Sequence, residues 1–207
     1  HELKHKIKPG EFAVHGDAGR FLAGLAQRLT DIHPVTDRWL ERVREYAQQY
    51  SPAAQNRYPD PNAIVRAISE CLDPQDVVCV DVGQNQMWAA QSLHITGSQR
   101  FLTSGGMGSM GFALPCAVGA YYSGAPGRVL AIAGDGGIQM NIQELALVRR
   151  NGIPVKIIIL NNRCLGMIRQ FQKTYFDNRF VATVTDYEAP DFCALAGAYG
   201  IPSVRIA

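Results

Sequence analysis

Val129-Leu130-Ala131-Ile132-Ala133-Gly134-Asp135-Gly136-Gly137 is the stretch on which the fold turns. Five apolar residues run without a polar interruption and then stop at Gly-Asp-Gly-Gly. A short continuous run of this kind marks a strand buried on both faces of a parallel sheet. Two further runs have the same character, Val77–Val82 and Val155–Leu160. Helical stretches are expected around them. One spans about 61–72, with Ile64, Ala67, Ile68 and Leu72 on one face. Others are expected at about 108–123, at about 137–150 (Ile138, Ile142, Leu145 and Val148 on one side) and at about 190–199, before a last apolar run at Ser203–Ile206. Strands alternating with helices predict an α/β fold, a doubly wound, mostly parallel sheet with helices on both faces.

Upstream of this pattern the sequence changes. Phe12-Ala13-Val14 reads as a strand leading to a helix over 18–29, with Asp17 as its cap and Phe21, Leu22, Leu25 and Leu29 at helical spacing. One strand and one helix bury no core alone, and the chain opens with His1. Residues 1–33 are therefore expected to be the tail of a preceding domain. Residues 34–60 read as a linker. It holds a short helix around Trp39, Val43 and Tyr46 and a polar, proline-containing run from Ser51-Pro52 to Pro59-Asp60. Residues 61–207 are the α/β domain, expected to be truncated at its C-terminus.

Composition narrows the function classes. Of 207 residues, 47% are hydrophobic and 18% charged, with 20 basic against 18 acidic side chains. That near-neutral balance, without a basic run, points away from nucleic acid. No apolar stretch reaches the roughly 20 residues of a membrane span. The five cysteines form no CxxC pair and read as reduced, mostly buried thiols, which suits a cytoplasmic protein.

In doubly wound sheets ligands bind at the carboxyl ends of the strands, and here those ends carry chemistry. The first strand ends in Asp81-Val82-Gly83-Gln84-Asn85-Gln86, the next in Gly134-Asp135-Gly136-Gly137 and the next in Asn161-Asn162, while the glycine-rich turn Ser104–Gly111 opens a helix. Glycines admit a phosphate close to the backbone, and free N–H groups at a helix start attract an anion. Asp135 is a hard oxygen donor and Asn162 a neutral one. Magnesium takes about six oxygens, with few from protein and the rest from phosphate and water. Twenty-four residues separate Gly136 from Asn161, room for a helix of about four turns, a turn and a strand. Asp135 and Asn162 are thus expected at neighbouring strand ends.

Gly134-Asp135-Gly136, the 24-residue interval and Asn161-Asn162 together resemble the signature of thiamine diphosphate-dependent enzymes. The wider set is similar to acetolactate (acetohydroxyacid) synthases: Gly83 through Trp88, Ser104–Gly111, Met140, Glu144-Leu145, and Asn161 through Gln172. The resemblance implies the thiamine diphosphate-binding fold, with Asp135, Asn162 and the backbone carbonyl of Cys164 as ligands of Mg2+. It assigns Gly83, Gln84, Asn85, Gly134, Gly136 and Gly137 to the diphosphate side. Gly108 and Met110 fall against the rings, with Met110 as the apolar wedge, and Gly166 and Met167 close over the cofactor. It implies decarboxylation of a 2-oxo acid such as pyruvate and transfer of the acyl carbanion to a second carbonyl, in a homodimer or tetramer, with FAD a further cofactor of many synthases. No catalytic residue is expected in this chain. The glutamate that protonates the pyrimidine belongs to a domain outside it, so the chain alone is expected to be inactive. Two positions depart from the synthases: Asn85 stands where they carry His, and Phe171, lining the acceptor pocket, where they carry Trp. Both leave open a related thiamine diphosphate-dependent decarboxylase or carboligase with a different acceptor.

Plainer readings stand beside these. Gly106-x-Gly108-x-x-Gly111 also fits a dinucleotide fingerprint, which would make this an oxidoreductase domain. Asp135 and Asn162 could be turn residues, and a pseudo-enzyme or assembly domain is the non-catalytic alternative. Met107, Met110, Met140 and Met167 could fill core, Met140 being divided between core and cofactor contact. Tyr175 and Phe176 are expected to be buried packing residues. Glu144 is expected mid-helix in a structural role, and His33 and His94 at the surface or in packing.

Overall fold

The computed structural model describes residues 14–29, 36–50 and 60–206. The chain divides into two units, His1–Ser51 and Pro52–Ala207.

The first unit contributes α1 (Ala18–Arg28) and α2 (Asp37–Gln49). Asp17 caps α1, its Oδ1 accepting the Arg20 N–H at 2.9 Å. Of the strand expected at Phe12–Val14, the first two residues lie outside the described residues, as do 51–59 of the expected linker and His33.

The second unit holds a four-stranded, wholly parallel sheet in the order β2-β1-β3-β4, formed by β1 (Val77–Val80), β2 (Arg100–Thr103), β3 (Val129–Gly134) and β4 (Lys156–Leu160). Alternate residues of each strand point into different cores. Val77, Cys79, Val129, Ala131 and Ala133 pack with α5 (Ala113–Tyr122) and α7 (Glu144–Arg150). Val78, Val80, Leu130, Ile132 and Leu160 pack with Val65 of α3 (Pro61–Glu70) and Ala89 of α4 (Gln84–Ser92). Because both faces are covered, the strands need no polar alternation, which is why they read as unbroken apolar runs. The chain moves outward from β1 to the edge strand β2, then returns across β1 to β3 and β4. Direction thus reverses between β1 and β3, a topological switch point.

The chain departs from several sequence expectations. β2 was not apparent in its sequence, because an edge strand carrying Arg100 and Thr103 lacks the continuous apolar signature. The segment read as a strand end at Gln84–Gln86 opens α4. The single helix expected over 137–150 is two, the short α6 (Asp135–Gln139) and α7, joined by 3₁₀-type backbone bonds from Met140 to Leu145. Asn141 interrupts the run, its Nδ2 donating to the Gly111 carbonyl at 2.7 Å. Glu144 consequently starts α7 rather than lying mid-helix. The helix expected from 108 begins at Ala113, because Gly108 and Gly111 adopt left-handed φ of 69° and 83°. Ser203–Ile206 forms no strand; Val204 and Ile206 are exposed, and Arg205 is held by Asp191 at 2.8 Å. The last helices are α8 (Gly166–Tyr175) and α9 (Phe192–Ala198). Tyr175 and Phe176, expected in packing, are exposed at the end of α8, and Met140 is exposed as well. Of the five unpaired cysteines, Cys79 and Cys164 are buried and Cys71 is exposed.

Candidate functional site

The three strand ends at the switch point enclose one cavity of about 240 Å³. Register explains why. Gly134 pairs with Leu160 and Val80 with Ile132, so the segments after β1, β3 and β4 emerge side by side. From the end of β1 come Gly83, Gln84 and Asn85. From β3 come Gly134, Asp135, Gly136 and Gly137. From β4 come Asn162 and Cys164, and then Gly166 and Met167 of α8. The glycine turn adds Gly108 and Met110. Every residue that the resemblance assigns to cofactor or metal therefore lines this cavity, whereas Met140, divided between core and cofactor contact, does not. Phe171 does not; one turn beyond Met167 on α8, it is exposed and lies 4.7 Å from the Tyr175 ring.

Asp135 is the carboxylate among the lining residues, 1% exposed at the start of α6. Its Oδ2 accepts a hydrogen bond from the Tyr187 hydroxyl at 2.9 Å. Burial pushes the carboxyl above its usual range, opposed by that hydroxyl and by backbone N–H groups of Asp135, Asn162 and Gly136. Burial and the neighbouring carboxylate push the Tyr187 hydroxyl up in turn. Asn162 folds into a tight turn, its Oδ1 accepting the Cys164 N–H at 3.1 Å, with Arg163 at φ 54° between them. Its Nδ2 donates to Gln84 Oε1 at 2.9 Å, tying the β4 end to the β1 end. Asn85 is buried, and its Nδ2 donates to the Asp81 carbonyl at 2.9 Å. The Asn85 amide nitrogen thus secures the strand end.

Two residues important to this geometry were not singled out from sequence. Asp81, 1% exposed, accepts the N–H groups of Val82 (2.8 Å), Gly111 (2.9 Å) and Ala113 (3.0 Å). It clasps the glycine turn to the end of β1 and satisfies the start of α5. Burial pushes its carboxyl up, the three N–H groups pull it down, and burial prevails. Gly137 fits only because it lacks a side chain; a Cβ there would lie 2.6 Å from Asp81 Oδ1. An aspartate closing an apolar strand was a legible signal for Asp81. Tyr187 had none, since 52 residues separate it from Asp135.

The arrangement suits an anion beside a cation. The N-termini of α4, α6 and α8 all border the cavity, and their cap positions are Gly83, Gly134 and Leu165, none of which makes a side-chain capping bond. Elsewhere α1, α3 and α9 are capped by Asp17, Asp60 and Asp191, while α2, α5 and α7 also lack a side-chain cap. Uncapped N–H groups at helix starts are ready donors for phosphate oxygens. Among the described residues no cluster of three or more His, Cys, Asp or Glu could hold a metal by itself. One buried carboxylate with one amide oxygen would suit only a cation that completes its shell with phosphate and water. Met110, Leu165, Met167 and Ile168 supply apolar walls.

Comparison with known proteins agrees with this chemistry. The family model described as thiamine pyrophosphate enzyme, C-terminal TPP binding domain, matches residues 81–207. The chain belongs to this family. As a TPP-binding domain it binds thiamine diphosphate, the same compound under its other name, and the dinucleotide reading of Gly106–Gly111 is set aside. The chain is 40% identical over 209 residues to the acetolactate synthase large subunit of Parasynechococcus marenigrum (strain WH8102), covering 97% of this chain and 33% of that protein. It is 37% identical over 208 residues to the acetolactate synthase isozyme 2 large subunit of Escherichia coli (strain K12), covering 98% and 36%. It is 36% identical over 205 residues to the acetolactate synthase large subunit of Lactococcus lactis subsp. lactis (strain IL1403), covering 97% and 35%. The chain thus spans about a third of the length of these curated relatives. No helix among the described residues is long and apolar enough to cross a membrane.

Proposed function

We propose that this chain holds the diphosphate end of thiamine diphosphate and its Mg2+ in the switch-point cavity, as the cofactor-binding part of an acetolactate synthase-like carboligase. The observation carrying this is the convergence on one cavity of buried Asp135, the amide of Asn162, and three helix starts without side-chain caps. Asp135, Asn162 and the Cys164 carbonyl would ligate Mg2+. Backbone N–H groups at Gln84, Asn85, Gly136, Gly137 and Gly166 would meet phosphate oxygens. Met110 and Met167 would exclude water from the ring side, with Gly108 beside them.

Thiamine diphosphate would supply the carbanion chemistry that removes carbon dioxide from a 2-oxo acid and joins the remainder to a second carbonyl. This chain contributes binding and orientation; the acid that protonates the pyrimidine would come from another domain, supplied across a homodimer or tetramer. In the same reading residues 1–33 are the tail of a preceding domain, residues 34–60 a linker and residues 61–207 the cofactor domain. FAD is a candidate further cofactor of the full-length protein, and the compartment is the cytoplasm, in keeping with five unpaired thiols.

The test is a calorimetric titration of the full-length protein with thiamine diphosphate in the presence and absence of Mg2+. Saturable binding that requires Mg2+ and is lost in Asp135→Asn is the expected result, and metal-independent binding would overturn the site assignment. The chain alone is expected to form no acetolactate from pyruvate. A second reading, a carboligase of different acceptor preference, is favoured by Phe171, where the resembling synthases carry Trp. Comparing 2-oxobutyrate, pyruvate and aldehydes as acceptors decides between them.

A further inference from the structure

Tyr187 comes from a segment that is fastened elsewhere before it reaches the cavity. The buried Thr183 accepts the Leu165 N–H on its carbonyl at 3.0 Å, and its hydroxyl donates to Gln172 of α8. Gln172 Nε2 donates in turn to the Val181 carbonyl at 3.2 Å. Asp186, at φ 61°, then turns the chain immediately before Tyr187. The tyrosine is therefore delivered to Asp135 by a segment whose path α8 already holds.

At the other end the direction of the hydroxyl is set. Gln139 Nε2 donates to the Asp135 carbonyl at 2.9 Å and reaches the Tyr187 oxygen at 3.4 Å. An amide nitrogen only donates, so the tyrosine oxygen accepts from Gln139 and its own proton goes to Asp135 Oδ2, 2.9 Å away. Oδ2 is thereby engaged by the phenol, which fixes the plane of the carboxylate where it lines the cavity. Outer hydrogen bonds of this kind orient a metal-ligating carboxylate.

We propose that Tyr187 is a positioning residue for the metal ligand Asp135, acting through its hydroxyl and aligned by Gln139. This rests on the reading of Asp135 as a ligand of Mg2+. Phenylalanine at 187 keeps the ring and removes only the hydroxyl, so the carboxylate loses its fixed orientation while the cavity walls remain.

The experiment is calorimetric titration of the full-length protein with thiamine diphosphate at a series of fixed Mg2+ concentrations, for the parent, Tyr187→Phe and Asp135→Asn. In Tyr187→Phe the Mg2+ concentration for half-maximal cofactor binding is expected to rise about tenfold. Excess Mg2+ is expected to restore the parental affinity for thiamine diphosphate. A merely structural loosening would not be restored by metal, and that result would overturn the inference, as would an unchanged Mg2+ requirement. Asp135→Asn separates the two levels: if it binds like the parent, the metal-site reading itself fails, whereas loss in Asp135→Asn with no change in Tyr187→Phe sinks only the role of Tyr187. Should Tyr187→Phe fail to fold, Gln139→Leu takes its place. A rise in Mg2+ requirement, smaller and reversed by metal, is then expected, and an unchanged requirement overturns the inference.

Discussion

Two fully buried aspartates bracket the same strand, and they are satisfied in opposite ways. Asp76 precedes β1 and is 0% exposed; Asp81 follows it and is 1% exposed. At the amino edge Asp76 meets a cation. Its Oδ2 lies 2.6 Å from Arg128 Nη2, and it also accepts the N–H groups of Arg128 (2.9 Å) and Asp73 (2.8 Å). Burial raises this carboxyl, but Arg128 and the two N–H groups outweigh it, and the group is held below its usual range. At the carboxyl edge neither Asp81 nor Asp135 is salt-bridged to a side-chain cation among the described residues. Both are held only by backbone N–H groups or a phenol, and burial pushes both up. The amino edge is electrostatically complete. The carboxyl edge gathers helix starts and buried carboxylates without a side-chain cation beside them, a condition that the proposed metal and diphosphate would relieve together.

The largest expected effect comes from breaking the carboxyl edge. Asp135→Asn removes the hard oxygen donor and should weaken Mg2+-dependent cofactor binding by more than about 100-fold, beyond the 10–100-fold typical of outer-shell losses. The unliganded protein should unfold at the same or higher urea concentration, since a raised carboxyl carries a burial cost that the amide lacks.

The reverse pattern is expected at the amino edge. Asp76→Asn should lower stability by about 2–3 kcal/mol, the cost of disrupting a buried, charge-assisted hydrogen-bond set, while leaving cofactor affinity unchanged in the same titration. Its pH dependence has a defined sign. A folded-state value below the unfolded value near 3.9 gives stability that is complete above that pH and is lost as pH falls through the lowered folded value. Urea midpoints of the parent should therefore fall below about pH 4, and this component of the fall should be absent from Asp76→Asn.

Asp81→Asn sharpens the contrast. It retains one acceptor but turns an amide N–H toward donors, and should cost about 1–2 kcal/mol. The raised Asp81 carboxyl has the opposite linkage to that of Asp76. Its contribution is complete below the unfolded value and is lost as pH rises through the folded value, so the variant's deficit should grow as pH falls toward 4 from above, if measured by urea midpoint across that range. The smallest effect is expected away from both edges. Arg205→Ala breaks an exposed pair with Asp191 and should shift neither the urea midpoint nor cofactor affinity.

Much of the carboxyl edge was legible from composition and spacing. Asp135 and Asn162 sit at adjacent strand ends because 24 residues accommodate a crossover, although the crossover proved to be two short helices hinged at Asn141 rather than one. The glycine turn was legible as a turn. That Asp81 clasps it, through the N–H groups of Gly111 and Ala113, was not, because the bonds span about thirty residues. α4 was missed because Gln84–Ser92 has almost no apolar periodicity, and the exposure of Tyr175 and Phe176 because aromatic residues at helical spacing read as core.

By itself the sequence determined three of the four strands, β1, β3 and β4, and what chemistry stands at their ends, since unbroken apolar runs and the Gly, Asp and Asn that terminate them are local properties of the chain. Only the tertiary structure decided how those ends are held. The Asp76–Arg128 tie, the Asp81 clasp and the Tyr187 hydrogen bond to Asp135 join residues 30 to 52 positions apart. Such bonds form only after burial has stripped water from the carboxylates and left each to take whatever donor the fold brings beside it.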